Sequence, residues 1–118
     1  MPASAQVYVA PLAELPAGER RLISTDGKSI GVFNTGARIV AVLNLCPHAF
    51  APVCLGKVSG TTLPSRAGEF IWGREHEILR CPWHGWEFDL NSGQCLTDRR
   101  RLKQFAVVIR DESIYVEI

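Results

Sequence analysis

The sequence lacks a charge excess of either sign: 13 Lys and Arg face 12 Asp and Glu, a formal net charge of +1. General nucleic-acid and membrane-surface binders carry a clear basic excess, so neither is expected as a partner. No run of about 18 apolar residues occurs, which leaves no helical membrane span. The opening residues, MPASAQVYVAPLAELPAGERR, lack a basic segment followed by an apolar one. No secretory signal is read there, and the expected address is the cytoplasm. In that compartment cysteines are more often metal ligands or thiols than disulfide partners. There is no internal repeat, and no linker is long enough to separate one domain from another. A chain of 118 residues, 47% hydrophobic and 21% charged, is ordinary for one globular domain. It can bury roughly two-thirds of its unfolded surface without staples.

What is present reads as β throughout. VYVAPL (7–12) is a first short strand, and residues 20–45 read as three strands joined by turns at Asp26-Gly27 and Asn34-Thr35-Gly36. RIVAVLNL (38–45) is rich in β-branched residues and is expected to be a central strand. EFIWGREHEILR (69–80) reads as a hairpin turning near Gly73, and WEFDLNSGQCL (86–96) as another around Asn91-Ser92-Gly93. FAVVIRDESIYVEI (105–118) gives a strand, a turn at Asp111-Glu112-Ser113 and a last strand. The one helical candidate, Leu12 to Glu19, is interrupted by Pro16. TTLPSRAG (61–68) is expected to be a mobile loop. Many short strands with regular turn signals indicate a sandwich or barrel.

Two short pairs then stand out. Cys46-x-His48 follows the strongest strand, and after thirty-two intervening residues comes Cys81-x-x-His84. Two thiols and two imidazoles in Pro-containing loops form a metal-site pattern. Zinc accepts such donors, but the familiar finger keeps two Cys on one arm and two His on a helix. Here each loop carries one of each, and no helix is read for either. A 2Fe–2S centre with one all-Cys iron and one all-His iron suits that pairing.

At these residues the sequence resembles the Rieske iron–sulfur proteins, and in particular the Rieske-type ferredoxins of ring-hydroxylating oxygenase systems. The family pattern C-x-H-x-G followed by C-P-x-H-G matches at Cys46, His48, Cys81, Pro82, His84 and Gly85. The flanking APVCLGKV (51–58) and WEFDLNSGQ (86–94) are similar as well. Phe50 stands where the family has Gly. The spacing between the motifs is long for a minimal ferredoxin, and an inserted hairpin within residues 60–77 would account for it. The resemblance implies an all-β fold, an antiparallel β-sandwich or barrel over 1–118. A base of about 1–44 and 97–118 would carry an inserted cluster-binding subdomain of about 45–96. It further implies one Rieske-type 2Fe–2S cluster per chain. Cys46 and Cys81 would hold the inner iron. His48 and His84 would hold the outer iron through Nδ1, each with its other ring nitrogen near the surface, where the electron passes.

Departures from the high-potential members bear on the redox potential. Their second pair of cysteines is replaced by Ala51 and Trp83, and their Ser and Tyr hydroxyl donors by Trp86 and Phe88. Fewer donors to a negatively charged reduced cluster stabilise it less. A potential toward the low end of the roughly −150 to +300 mV Rieske range is expected.

Other residues carry blander readings. Cys54 and Cys95 are expected to be buried thiols, with a third metal pair as the alternative. His76 is read as solvated in a charged turn and Trp72 as hairpin packing. Phe50, Trp83 and Trp86 are either core or an apolar collar around the cluster. DRRRLK (98–103) is either a solvated loop or a basic rim, at Arg99, Arg100 and Arg101, that steers an acidic partner.

The chain holds three histidines. With two assigned to the cluster, it cannot also build a two-His-one-carboxylate oxygenase iron site. The expected function is a one-electron carrier from a flavin reductase to a terminal oxygenase, not an enzyme by itself. The alternatives are a Rieske-type small subunit of a larger reductase, such as nitrite reductase, and a zinc-stabilised β interaction module.

Overall fold

The structure is a computed structural model, and it describes residues 6–46, 52–63, 71–82, 86–96 and 99–118. Its strands are β1 (Gln6–Pro11), β2 (Arg20–Thr25), β3 (Lys28–Asn34), β4 (Ile39–Leu43), β5 (Lys57–Leu63), β6 (Ile71–Arg80), β7 (Glu87–Asp89), β8 (Gln104–Arg110) and β9 (Ser113–Glu117). Two short 3-10 turns, Leu12–Glu14 and Val53–Leu55, are the helical pieces among the described residues. Every strand pair is antiparallel. One six-stranded sheet runs β1-β9-β8-β4-β3-β2, and a three-stranded sheet runs β5-β6-β7. The outer strands β1 and β2 approach each other, so the larger sheet nearly closes into a barrel and protects its edges.

The middle of the molecule follows from period-2 geometry. Along β3, Ile30 and Val32 point into a barrel core with Val9, Leu15, Ile114 and Val116. Phe33, on the opposite face, enters a second core with Val40 and Val42 of β4. Strands covered on both faces need near-continuous apolar runs, which is what SIGVF and IVAVL supply. The second core is completed by Leu79 of β6, Phe88 of β7, Leu90 and Leu102. The smaller sheet is thus seated on the outer face of β3 and β4.

The turns hold their expected places. Asp26 and Gly27 both have positive φ, +53° and +74°, the geometry of a type I′ turn. Gly36 and Gly93 also lie at positive φ. Two readings are corrected. Residues 69–80 do not turn at Gly73: β6 runs unbroken from Ile71 to Arg80, and Gly73 pairs with Thr61. Thr61–Leu63, read as the start of a mobile loop, end β5. The hairpin is therefore β5 with β6, and it carries a bulge between Ser59 and Thr61. Residues 64–68 of the expected loop lie outside the described residues. Leu12 to Glu19 yields only the 3-10 turn Leu12–Glu14.

Candidate metal centre

Each cysteine of the two motifs stands at the root of a loop. β4 ends at Leu43, and Asn44 bonds sideways: its Nδ2 donates to Ser29 Oγ at 3.2 Å, and its Oδ1 accepts the Cys54 N–H at 2.8 Å. That second bond closes the segment 44–54 at its neck. Cys46, just inside the neck, is fully buried. The second loop connects β6 to β7. β6 and β7 pair through Arg80 and Glu87, and the Cys81 N–H donates to the Trp86 carbonyl at 2.8 Å. An Arg80–Glu87 ion pair at 3.0 Å lies across the hairpin mouth. It is partly exposed and contributes at most about 1 kcal/mol. Cys81 is 1% exposed.

Cys46 and Cys81 follow strands of different sheets, and both belong to one buried apolar cluster with Phe33, Val42, Leu79 and Phe88, a cluster that Cys54 and Cys95 also join. Burial and the hydrogen bonds around the sulfur ligands are among the features that tune an iron–sulfur centre. The donor set present at these loops fits such a centre. His48 and His84, with Phe50, Ala51, Trp83 and Gly85, lie outside the described residues.

The other two cysteines are buried as expected. Burial pushes the Cys54 thiol up to about 12, although a hydrogen bond from the Gly31 backbone and the Arg20 charge act the other way. A thiol so hard to ionise packs as a small hydrophobe. Its Sγ lies 3.8 Å from the Val42 carbonyl oxygen. It also occupies the space over Gly31, where a Cβ would come within 2.4 Å of the sulfur. Cys95, 3% exposed, joins the same core and bridges Phe88.

Trp86 is half-buried against that core, and Phe88 is fully buried in it. Neither carries a hydroxyl. Arg99, Arg100 and Arg101 are all exposed. The Arg100 guanidinium lies 5.5 Å from the Trp86 ring centroid, within cation–π range. Arg101 donates from Nη2 to the Ser92 carbonyl at 2.9 Å. His76 and Trp72 fall on β6, not in a turn, and their side chains lie outside what the structure describes.

The model of the Rieske 2Fe-2S domain matches residues 5–108. The chain belongs to the Rieske family. Its cofactor is a Rieske-type 2Fe–2S cluster. Among curated Rieske proteins, it is 27% identical over 109 residues to the ferredoxin component of the naphthalene 1,2-dioxygenase system of Pseudomonas aeruginosa, covering 91% of this chain and 89% of that one. Among solved structures, it resembles the ferredoxin of carbazole 1,9a-dioxygenase from Nocardioides aromaticivorans IC177, with a TM-score of 0.73, 27% identity, and 96% and 97% of the two chains covered. A Mycobacterium tuberculosis protein described as the small subunit of an NADH-dependent nitrite reductase superposes with a TM-score of 0.73 at 19% identity, over 99% and 97% of the chains. That likeness concerns the fold alone.

Two contributors to this centre were not singled out from sequence. Asn44 closes the first loop; its one local signal is a polar residue between two leucines directly before Cys46. Arg20 reaches the Cys54 and Gly56 carbonyls from 34 and 36 positions away, and no local pattern announces it.

Proposed function

We propose that the chain is a one-electron carrier in which Cys46, His48, Cys81 and His84 hold the cluster and an oxygenase component receives the electron. The observation that carries this is the burial of Cys46 and Cys81, each at the start of a separate histidine-bearing loop, in one core. The ferredoxin names of the two 27%-identical relatives favour a carrier over a permanently bound subunit.

When bound, the cluster supplies reversible one-electron chemistry. The protein's role is binding and tuning. Cys46 and Cys81 would give the inner iron two thiolates sealed from water. His48 and His84 would hold the outer iron. The Cys81–Trp86 backbone bond and the Asn44–Cys54 bond join the ends of the two loops. Residues 45–96 would form the cluster-binding subdomain, carried on a base of 1–44 and 97–118. A flavin reductase would donate the electron, in the cytoplasm. Among the described residues no helix is long and apolar enough to cross a membrane.

Purification from its own cells at low salt tests the carrier reading. A carrier elutes alone and passes its electron, in stopped flow, to an added oxygenase component. Co-elution with a large reductase subunit in fixed stoichiometry would instead establish the subunit role.

A further inference from the structure

The 3-10 turn Val53–Leu55 and the following Gly56 lie between the two cysteine loops and touch both. Upstream, the Cys54 N–H closes the neck of the first loop on Asn44. Downstream, Gly56 packs on the backbone of Arg80, the residue before Cys81. A Cβ on Gly56 would lie 1.8 Å from the Arg80 carbonyl oxygen. One side chain of the larger sheet grips this turn. Arg20 of β2 donates from Nη1 to the Cys54 carbonyl at 2.7 Å and to the Gly56 carbonyl. Its guanidinium lies 5.8 Å from the centroid of Phe33, and Phe33 shares the buried core with Cys46 and Cys81. Carbonyls at the end of a helical turn lack partners within the turn. A flat guanidinium satisfies them while lying against an aromatic face.

We propose that Arg20 is a positioning residue for the metal centre: its hydrogen bonds to the Cys54 and Gly56 carbonyls fix the turn from which both cysteine loops are held. The link to the metal rests on the ligand assignment above; the grip on the turn does not. The guanidinium also sets a fixed positive charge beside this core, and the Cys54 thiol senses it.

Arg38 provides the control. It also ties the larger sheet to the smaller one, but at the Asn91 turn, where Nε donates to Asn91 Oδ1 at 3.3 Å and Nη2 to the Asn91 carbonyl. Arg20→Met, Arg20→Lys and Arg38→Met are compared with wild type. Backbone hydrogen exchange, iron release to a chelator and the reduced EPR spectrum are read on the proteins as purified. Arg20→Met should speed exchange at the Cys54, Leu55 and Gly56 amides at least about tenfold, the loss expected for charge-assisted hydrogen bonds. Iron should leave it about tenfold faster than Arg38→Met, with displaced EPR lines. Arg20→Lys keeps the charge and the fold, and should partly restore the EPR spectrum. Unchanged exchange at the three amides overturns the proposal. So do iron release no faster than in Arg38→Met and an unaltered spectrum. Faster exchange in a protein whose wild type holds no iron–sulfur cluster would sustain the grip and sink the ligand assignment.

Discussion

Cys46, Cys54, Cys81 and Cys95 are all buried, yet their backbones give them different work. Cys46 and Cys81 open loops that each carry a histidine; Cys54 follows the first loop and Cys95 pairs with Phe88 inside a hairpin. Cys46→Ser or Cys81→Ser should therefore cost the protein its iron and acid-labile sulfide, whereas Cys95→Ala should keep both. Iron and sulfide analysis per chain checks this. Cys54 supports a separate prediction. Its pKa rises from an ordinary 9.0 to about 12 on folding, so between those pH values the folded state binds more protons than the unfolded one. Stability from this group is complete below pH 9 and is lost as pH climbs toward 12. Urea denaturation across that window should show a steeper alkaline decline in wild type than in Cys54→Ala. At this scale the sequence was most readable, because short spacings such as C-x-H and C-P-x-H-G state which donors share a loop. Long-range partners were not readable: nothing near Arg20 in the chain shows that it will meet residue 54.

Among the elements, legibility followed the turns. Asp26-Gly27 is a strong hairpin signal because both positions need positive φ, and the strands on either side match their sequence reading. Gly73 misled for a related reason. Glycine usually punctuates, but here it sits inside β6 opposite Thr61, beside a bulge. β5 went unread because KVSGTTL has a glycine and little apolar alternation. The last turn offers a test of backbone strain. Asp111 and Glu112 link β8 to β9 with φ of +51° and +61°, a region that costs an ordinary residue roughly 1–2 kcal/mol. The Glu112 carbonyl accepts the Leu12 N–H at 2.8 Å, a bond that glycine would keep. Glu112→Gly relieves the strain but loosens the unfolded chain by about 0.4–1 kcal/mol. A net gain of up to about 1.5 kcal/mol should raise Tm by a few degrees, read by thermal unfolding. Gly31→Ala should do the opposite. Its Cβ would meet Cys54 Sγ at 2.4 Å, and overpacking of this kind costs about 1–3 kcal/mol.

The whole molecule is two sheets sharing one layer. β3 and β4 bury one face in the barrel core and the other against the cysteine loops, and Arg20 and Arg38 tie the sheets together at two separate turns. The all-β class was visible from strand and turn frequency, whereas the order β1-β9-β8-β4-β3-β2 depends on long-range pairing that periodicity does not encode. Tuning of the cluster also belongs to this scale, since burial and donor supply act together. Trp86 and Phe88 bring bulk without hydroxyls to the core beneath the second loop, so the reduced state gains less stabilisation. The midpoint potential should fall in the lower range of the roughly −150 to +300 mV that Rieske centres span. A redox titration centred above about +150 mV would contradict this.

The two cysteine–histidine loops are proposed to enclose the Rieske 2Fe–2S cluster. Visible absorption and low-temperature EPR of the purified protein, as isolated and after dithionite reduction, test it most directly. A Rieske cluster makes the protein red-brown, with a reduced form that gives a rhombic signal of low average g. A colourless protein that contains zinc, and that iron and sulfide fail to reconstitute, would contradict it.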